Sequence, residues 1–228
     1  MKLKPKTMKL SEKTVSLLKN FSSINQSLLF KKGNSLRTIS LAKNILAEAE
    51  LEDEIPQDFA IYDLNQFLNG LSLHQNPELD FKNEGHVVIR EGKMCSKYFF
   101  ADPNVITVPP DKEINLPTED ACFILKTQEL DKLIKAASIY QLPDLSVIGE
   151  SGVVKLVVRD KKNETSNDFS IIVGETTSNF VFNFKVENIK ILPGTYEVVV
   201  SSKLLSRFKS SDRKLIYFIA LEPDSTFE

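Results

Sequence analysis

SLLKNFSSI (residues 16–24) and KLIKAASIY (residues 132–140) begin 116 positions apart in a chain of 228 residues. Each places two apolar residues before a lysine and follows with small residues. At this offset Ser11 aligns with Thr127, Leu17-Leu18-Lys19 with Leu133-Ile134-Lys135, and Ser22 with Ser138. Ser11 and Thr127 are helix N-cap residue types, so both stretches are predicted helices of about 14 residues capped there. Each leads into a strand-like segment, QSLLFKKG or DLSVIGESG, ending near a glycine where a hairpin can turn.

A second, weaker pair is AIYDLNQFLNG (residues 60–70) and NFKVENIKILPG (residues 183–194). Both read as strand-like residues running into a short helix that stops near glycine. The remaining runs, HVVIREG, SKYFFA, VVKLVVRD, DFSIIVGE, TYEVVVSS and KLIYFIAL, alternate or are β-branched and read as antiparallel strands. The order helix, strands, helix, strands therefore occurs twice, and a repeat of this kind governs the whole fold. Between the halves lies DPNVITVPPDKEINLPTED, with Pro103, Pro109, Pro110 and Pro117, a composition suited to a stiff connector. The expected fold is α+β, with two similar domains, each of two helices packed on antiparallel sheets. The expected divisions are a loose extension over residues 1–7, a domain over 8–103, a connector over 104–118 and a second domain over 119–228.

The helix faces separate cleanly at about 100° per residue. The first helix gathers Leu10, Thr14, Leu17, Leu18, Phe21 and Ile24, and turns Glu12, Ser16, Lys19 and Ser23 the other way. The 132–140 helix gathers Leu130, Leu133, Ile134 and Ala137, opposite Gln128, Lys132 and Lys135. In DLNQFLNGLSL, Asp63 caps a helix that buries Leu64, Phe67, Leu68 and Leu71 and presents uncharged Asn65, Gln66 and Asn69. The fourth helix offers Lys185 and Lys190. Lysines on outer helix faces are usually ordinary solvated residues. With amides beside them, they also suit contact with phosphate oxygens without reading bases.

The rest of the composition excludes more than it selects. Apolar residues make up 42%, enough for a core. No apolar run reaches the ~18 residues of a membrane span, and MKLKPKTMKLSEK has no apolar core of a secretory signal. A net charge of −2 argues against a uniformly basic nucleic-acid binder. Cys95 and Cys122 are expected as buried thiols in a reducing cytoplasm. The acidic run EAELEDE (residues 48–54) reads as a solvated hairpin rather than a metal site. No phosphate-binding loop or dinucleotide fingerprint occurs, and His74 and His86 share no motif with the cysteines. No sign of catalysis, metal or cofactor follows from the residues.

Several short stretches, in order, resemble the sliding clamps of T-even-type bacteriophages, the DNA polymerase processivity factors. They are MKLS (residues 8–11), LLKNF (17–21), AIYDLN (60–65) with LSL (71–73), ADP (101–103), FNF (182–184), PG (193–194) and ALE with DST one position on (220–226). The resemblance implies two similar domains per subunit and a trimeric ring with helices lining a central hole. Lys13, Lys19, Lys132, Lys135, Lys185, Lys190, Asn65, Gln66 and Asn69 are then the DNA-facing set. A pocket for a partner's peptide is carried over to Val108, Leu116, Ile219, Leu221 and Pro223. Subunit contacts are expected where CSKYFFA meets DFSIIVG, through Lys97, Phe99, Asp168 and Ile171. Implied partners are double-stranded DNA, the C-terminal peptide of the polymerase, a clamp-loader ATPase and late transcription factors. The implied location is the cytoplasm of the infected host, without a membrane, cofactor or enzymatic activity. The alternatives are a non-ring scaffold that keeps the duplicated fold, and an unrecognised α+β enzyme.

Overall fold

Ser11 starts the first helix. Its backbone is extended, its Oγ accepts the Thr14 amide at 3.2 Å, and the Asp53 carboxylate accepts the Ser11 amide at 2.8 Å. Capping of this kind satisfies amides that a helix start leaves without partners. The computed structural model describes residues 7–228. The extension expected over residues 1–7, including Lys2, Lys4 and Lys6, thus lies outside the described residues apart from Thr7, which pairs with Asp80. The chain divides into two units, the first ending at Asp111 and the second spanning Lys112–Glu228.

The first unit runs β1 (Thr7–Met8), α1 (Glu12–Ile24), β2 (Leu28–Phe30), β3 (Gly33–Ile39), β4 (Ile45–Ile55), β5 (Phe59–Ile61), α2 (Leu64–Ser72), β6 (Glu78–Asp80), β7 (His86–Glu91) and β8 (Met94–Phe99). One antiparallel sheet has the order β1-β6-β7-β8, with β8 terminal. β3 and β4 form a hairpin, and β2 pairs with β5. The hairpin expected after QSLLFKKG is therefore absent, because β2 takes β5 as its partner. Helix α1 packs on α2 and on the β3–β4 hairpin, burying Thr14, Leu17, Leu18, Phe21 and Ile24. Phe30, Phe59, Phe81 and Phe100 fill the middle, with the Phe30 and Phe59 rings stacked at 4.4 Å. Truncating a buried ring such as Phe21 costs about 3–5 kcal/mol.

The second unit runs β9 (Ala121–Leu125), α3 (Thr127–Tyr140), β10 (Asp144–Glu150), β11 (Val153–Arg159), β12 (Phe169–Glu175), β13 (Phe180–Lys185), β14 (Tyr196–Ser201), β15 (Leu205–Ser210), β16 (Leu215–Ala220) and β17 (Thr226–Phe227). One antiparallel sheet has the order β12-β11-β10-β13-β17, with β12 terminal. β14 lies between β9 and β15, and β15 also pairs with β16. The β10–β11 hairpin turns on Ser151 and Gly152, both at positive φ, as the twist of a two-residue turn requires. Gly149 has another reason to lack a side chain. A Cβ there would lie 2.4 Å from the Phe180 ring. Gly149→Ala is expected to lower stability by about 1–3 kcal/mol through overpacking, read as a lower urea midpoint at unchanged slope.

Four expectations need correction. Helix α3 is capped at Lys126, not Thr127: the Glu129 carboxylate accepts the Lys126 amide at 2.9 Å, which leaves Thr127 free to take the first helical position. Ala136 is buried there, while Ile134 is only half-buried. The fourth helix is a single 3-10 turn over Val186–Asn188. Val186, Ile189 and Ile191 are β-branched, and Pro193 disfavours helical backbone at Leu192, whose carbonyl is held by the Tyr196 hydroxyl at 2.6 Å. Both cysteines are exposed, Cys95 on β8 and Cys122 on β9. Partial burial and the Glu119 and Glu197 carboxylates push the Cys122 thiol above its ordinary value, which disfavours the reactive thiolate. The acidic run does lie in a hairpin, along β4 of the β3–β4 pair. Its carboxylates engage Arg37, Asn34 and Lys13 and cap Ser11. No cluster able to hold a metal occurs among the described residues.

Candidate functional site

Three features of the first unit are exposed and shaped by the fold. The first is the outer face of α1 and α2. Lys13 and Lys19 project from α1, and Asn65, Gln66 and Asn69 from α2. Asp63 caps α2 by accepting the Gln66 amide at 2.9 Å, which fixes where that amide row points. Lys13 is ion-paired with Glu52, whereas Lys19 has no ion pair among the described residues.

The second feature is the terminal strand β8. Lys97 is exposed and Phe99 is 71% exposed, large for a phenylalanine. The Tyr98 hydroxyl donates to the Asp63 carbonyl at 2.9 Å, and its ring meets Phe67 edge-on at 5.2 Å. These contacts hold β8 beside α2 and leave a groove of about 490 Å³ lined by Tyr62, Gln66, Gly70, Leu73, Tyr98 and Phe99.

The third feature is the base of the connector. The buried Asn25 side-chain amide donates to the Ile39 carbonyl at 2.8 Å and to the Thr107 carbonyl at 3.2 Å. It thereby ties the β3–β4 hairpin to the residues beside Val108, which is exposed. At the tip of this hairpin Leu41 is 73% exposed. Leu41 escapes sequence reasoning, because a single leucine in a turn has no period to reveal its direction.

In the second unit, Lys132 and Lys135 project from α3, and neither has an ion pair among the described residues. Lys185 differs. Its Nζ lies 2.6 Å from the Asp144 carboxylate, and Asp144 is 1% exposed. That carboxylate holds the Lys185 ammonium above its ordinary value, and its charge is largely neutralised locally. Lys190 is half-buried and engaged. The unit thus brings Lys132 and Lys135 together on one helix and pairs half-buried Lys185 with a buried carboxylate.

Asp168 immediately precedes terminal strand β12 and Glu175 ends it, both exposed. Ile171 is half-buried and its neighbour Ile172 is 62% exposed. Among the proposed pocket residues, Pro223 is exposed and Leu116 half-buried, but Ile219 is 0% exposed and Leu221 is buried. Ile219 pairs with Ser206 inside the β15–β16 ladder, so its side chain belongs to the core and lines no accessible pocket.

Two units of helix on antiparallel sheet, each ending in an open strand edge, define a clamp architecture. Solved structures of the same fold include the PCNA of A. fulgidus bound to the C-terminal region of FEN-1. Its TM-score is 0.71 at 14% identity, covering 96% of this chain and 99% of that one. The Helicobacter pylori beta clamp bound to a DNA ligase peptide gives 0.71 at 14% identity, covering 97% of this chain and 67% of that one. Residues 9–108 match the family described as DNA polymerase processivity factor, and residues 122–223 the gp45 sliding clamp C-terminal family. The sliding clamp of Vibrio phage KVP40 is 36% identical over 222 residues, 94% of this chain and 99% of the relative. That of Escherichia phage RB69 is 32% identical over 235 residues, 97% of this chain and the whole relative. The chain belongs to the sliding clamp family of T4-like phages.

Proposed function

We propose that three copies of this chain close into a ring around duplex DNA and tether the viral DNA polymerase to its template. The observation that carries this reading is that one chain presents two terminal strands of opposite character, one in each unit. β8 offers Lys97 and Phe99, and β12, with Asp168 just before it, offers Ile172 and Glu175. Strand edges left open invite pairing with another chain. Joining β8 of one copy to β12 of the next is a heterologous contact, which closes only as a ring or runs on as a filament. A closed ring needs no tight grip on DNA. Lys19, Lys132 and Lys135 supply weak, screened phosphate contacts, and the Asn65, Gln66 and Asn69 row adds uncharged ones. Lys13 and Lys185, held in ion pairs, contribute less.

Partner peptides, first that of the polymerase, dock on the connector around Val108, whose neighbour Thr107 is tied through Asn25 to the hairpin that carries Leu41. Clamps of the same fold hold the C-terminal region of FEN-1 or a DNA ligase peptide. A clamp-loader ATPase opens the ring, late transcription factors use it as a moving platform, and the host cytoplasm is where it works. Val108→Asp or Leu41→Asp is expected to weaken a fluorescent peptide from the polymerase C-terminus at least about tenfold, because a charge there is desolvated on docking. Native mass is expected to stay unchanged in both.

The assembly is tested by light scattering across a concentration series. With a subunit of 25.8 kDa, a ring has a mass of about 77 kDa. A monomer at every concentration would overturn the ring and leave a scaffold that keeps the duplicated fold.

A further inference from the structure

After β16 the chain turns back and runs along the edge of β13. The Glu222 amide donates to the Asn183 carbonyl at 2.7 Å, and the Glu228 amide to the Asn179 carbonyl at 2.9 Å. Between them Thr226 pairs with Val181 and Phe227 with Phe180. Side chains fasten the same stretch. The Asn183 amide donates to Ser225 Oγ at 2.9 Å, and Asn183 Nδ2 to Asp224 Oδ1 at 3.3 Å. Lys161 Nζ lies 2.7 Å from Asp224 Oδ2. The Phe227 ring lies nearly parallel to that of Phe182, at 6.1 Å.

The two sides of this contact are unequal. The receiving side is buried beneath the tail and held by contacts of its own. Asn183 is 3% exposed, and its Oδ1 accepts Ser146 Oγ at 2.7 Å, which in turn accepts Arg159 Nε at 3.1 Å. Phe180 and Phe182 are buried, and the Lys161 side chain is nearly so. The arriving side is mostly exposed: Pro223, Asp224, Thr226, Phe227 and Glu228 all face solvent. It contributes two ladder pairs, too few to hold a strand firmly. If the tail lifts, the edge of β13, the Asn183 Nδ2 and the Lys161 ammonium all lose partners, and the Phe182 ring loses its cover. Those vacancies describe a ligand: an extended backbone, a carboxylate, and an aromatic ring three positions further on.

We propose that the β13 edge is a strand-acceptor site whose resident occupant is residues 222–228. The partner it fits is a protein segment that is extended, acidic and then aromatic, and that adds a strand when the tail is displaced. The tail is tethered at an effective concentration on the order of millimolar, so it screens the site from weak or accidental binders. The inference uses residues of the second unit alone. It stands whether or not the Val108 patch takes a peptide.

The test compares the full chain with a chain ending at Leu221, using a fluorescent peptide of residues 221–228, LEPDSTFE. The shortened chain is expected to bind it, and the full chain to bind it at least about tenfold more weakly. Asp224→Asn or Phe227→Ala in the peptide is expected to weaken binding at least about fivefold. A folded shortened chain that does not bind, equal binding by both chains, or indifference to both peptide changes would overturn the proposal. If the shortened chain does not fold, amide exchange in the full chain decides. The Glu222 and Asn183 amides should exchange well before those of the β10–β13 ladder, by local opening. Exchange of all of them together, only on global unfolding, would overturn it.

Discussion

Phe99→Asp is expected to leave a folded subunit of 25.8 kDa in place of a trimer. The side chain is 71% exposed in the single chain, so the substitution spares the core. In the proposed ring it sits where β8 meets β12 of the next copy, and a carboxylate buried there without a partner costs about 2–4 kcal/mol. Three copies close through three equivalent contacts, so the cost enters three times, about 6–12 kcal/mol for the closed ring. Each 1.4 kcal/mol is about tenfold, so assembly is lost over any practical concentration range. Ile172→Asp should act in the same way from the other edge. Ile171→Asp is a poorer probe, because Ile171 is half-buried and its loss also disturbs the sheet. Light scattering and circular dichroism together check this. A trimer that survives both substitutions would place the subunit contact elsewhere.

Reversing Lys19 and Lys135 together is expected to give the second large effect, with the mass unchanged. Each Lys→Glu change shifts the charge by two, and a trimer repeats it threefold, so the hole changes by about twelve unit charges. At about 0.15 M salt a repulsive hole should shorten the lifetime on DNA, and the length of processive synthesis, at least about tenfold. Lys162→Glu, in the turn after β11, is the control and should do little. If the double reversal slides and supports synthesis like the parent, the α1 and α3 faces do not meet DNA.

How much of this is legible in the sequence depends on whether a residue's direction carries a period. Helix α1 is legible because Thr14, Leu17, Leu18, Phe21 and Ile24 recur at helical spacing and Ser11 is a cap type, and the structure buries all five. Asp63 and the outward Asn65, Gln66 and Asn69 are legible for the same reason. Strands reveal less. In LIYFIA and FSIIVG apolar residues follow one another, so alternation does not say which one faces out. Alternation thus leaves Ile171 and Ile172 undecided, and the structure turns Ile172 outward; Ile219 comes from the family resemblance, which carries no information on its burial in this strand. The cap of α3 is hidden because a lysine has no capping chemistry of its own, and the carboxylate that reaches back belongs to Glu129. Cys95 and Cys122 are expected inside because thiols usually are, yet both occupy outward positions on strands. The pairing of Lys185 with Asp144 joins residues 41 positions apart, which no local pattern reveals.

The most direct test of the encircling ring is topological. The protein is loaded with a clamp-loader ATPase and ATP on a nicked circular DNA, and its retention is followed before and after the circle is cut once. The ring predicts long retention on the circle and rapid loss from the linear ends, at the same salt and on the same sequence. Equal retention on both forms would mean that the chain grips DNA rather than encircling it, and would contradict the account.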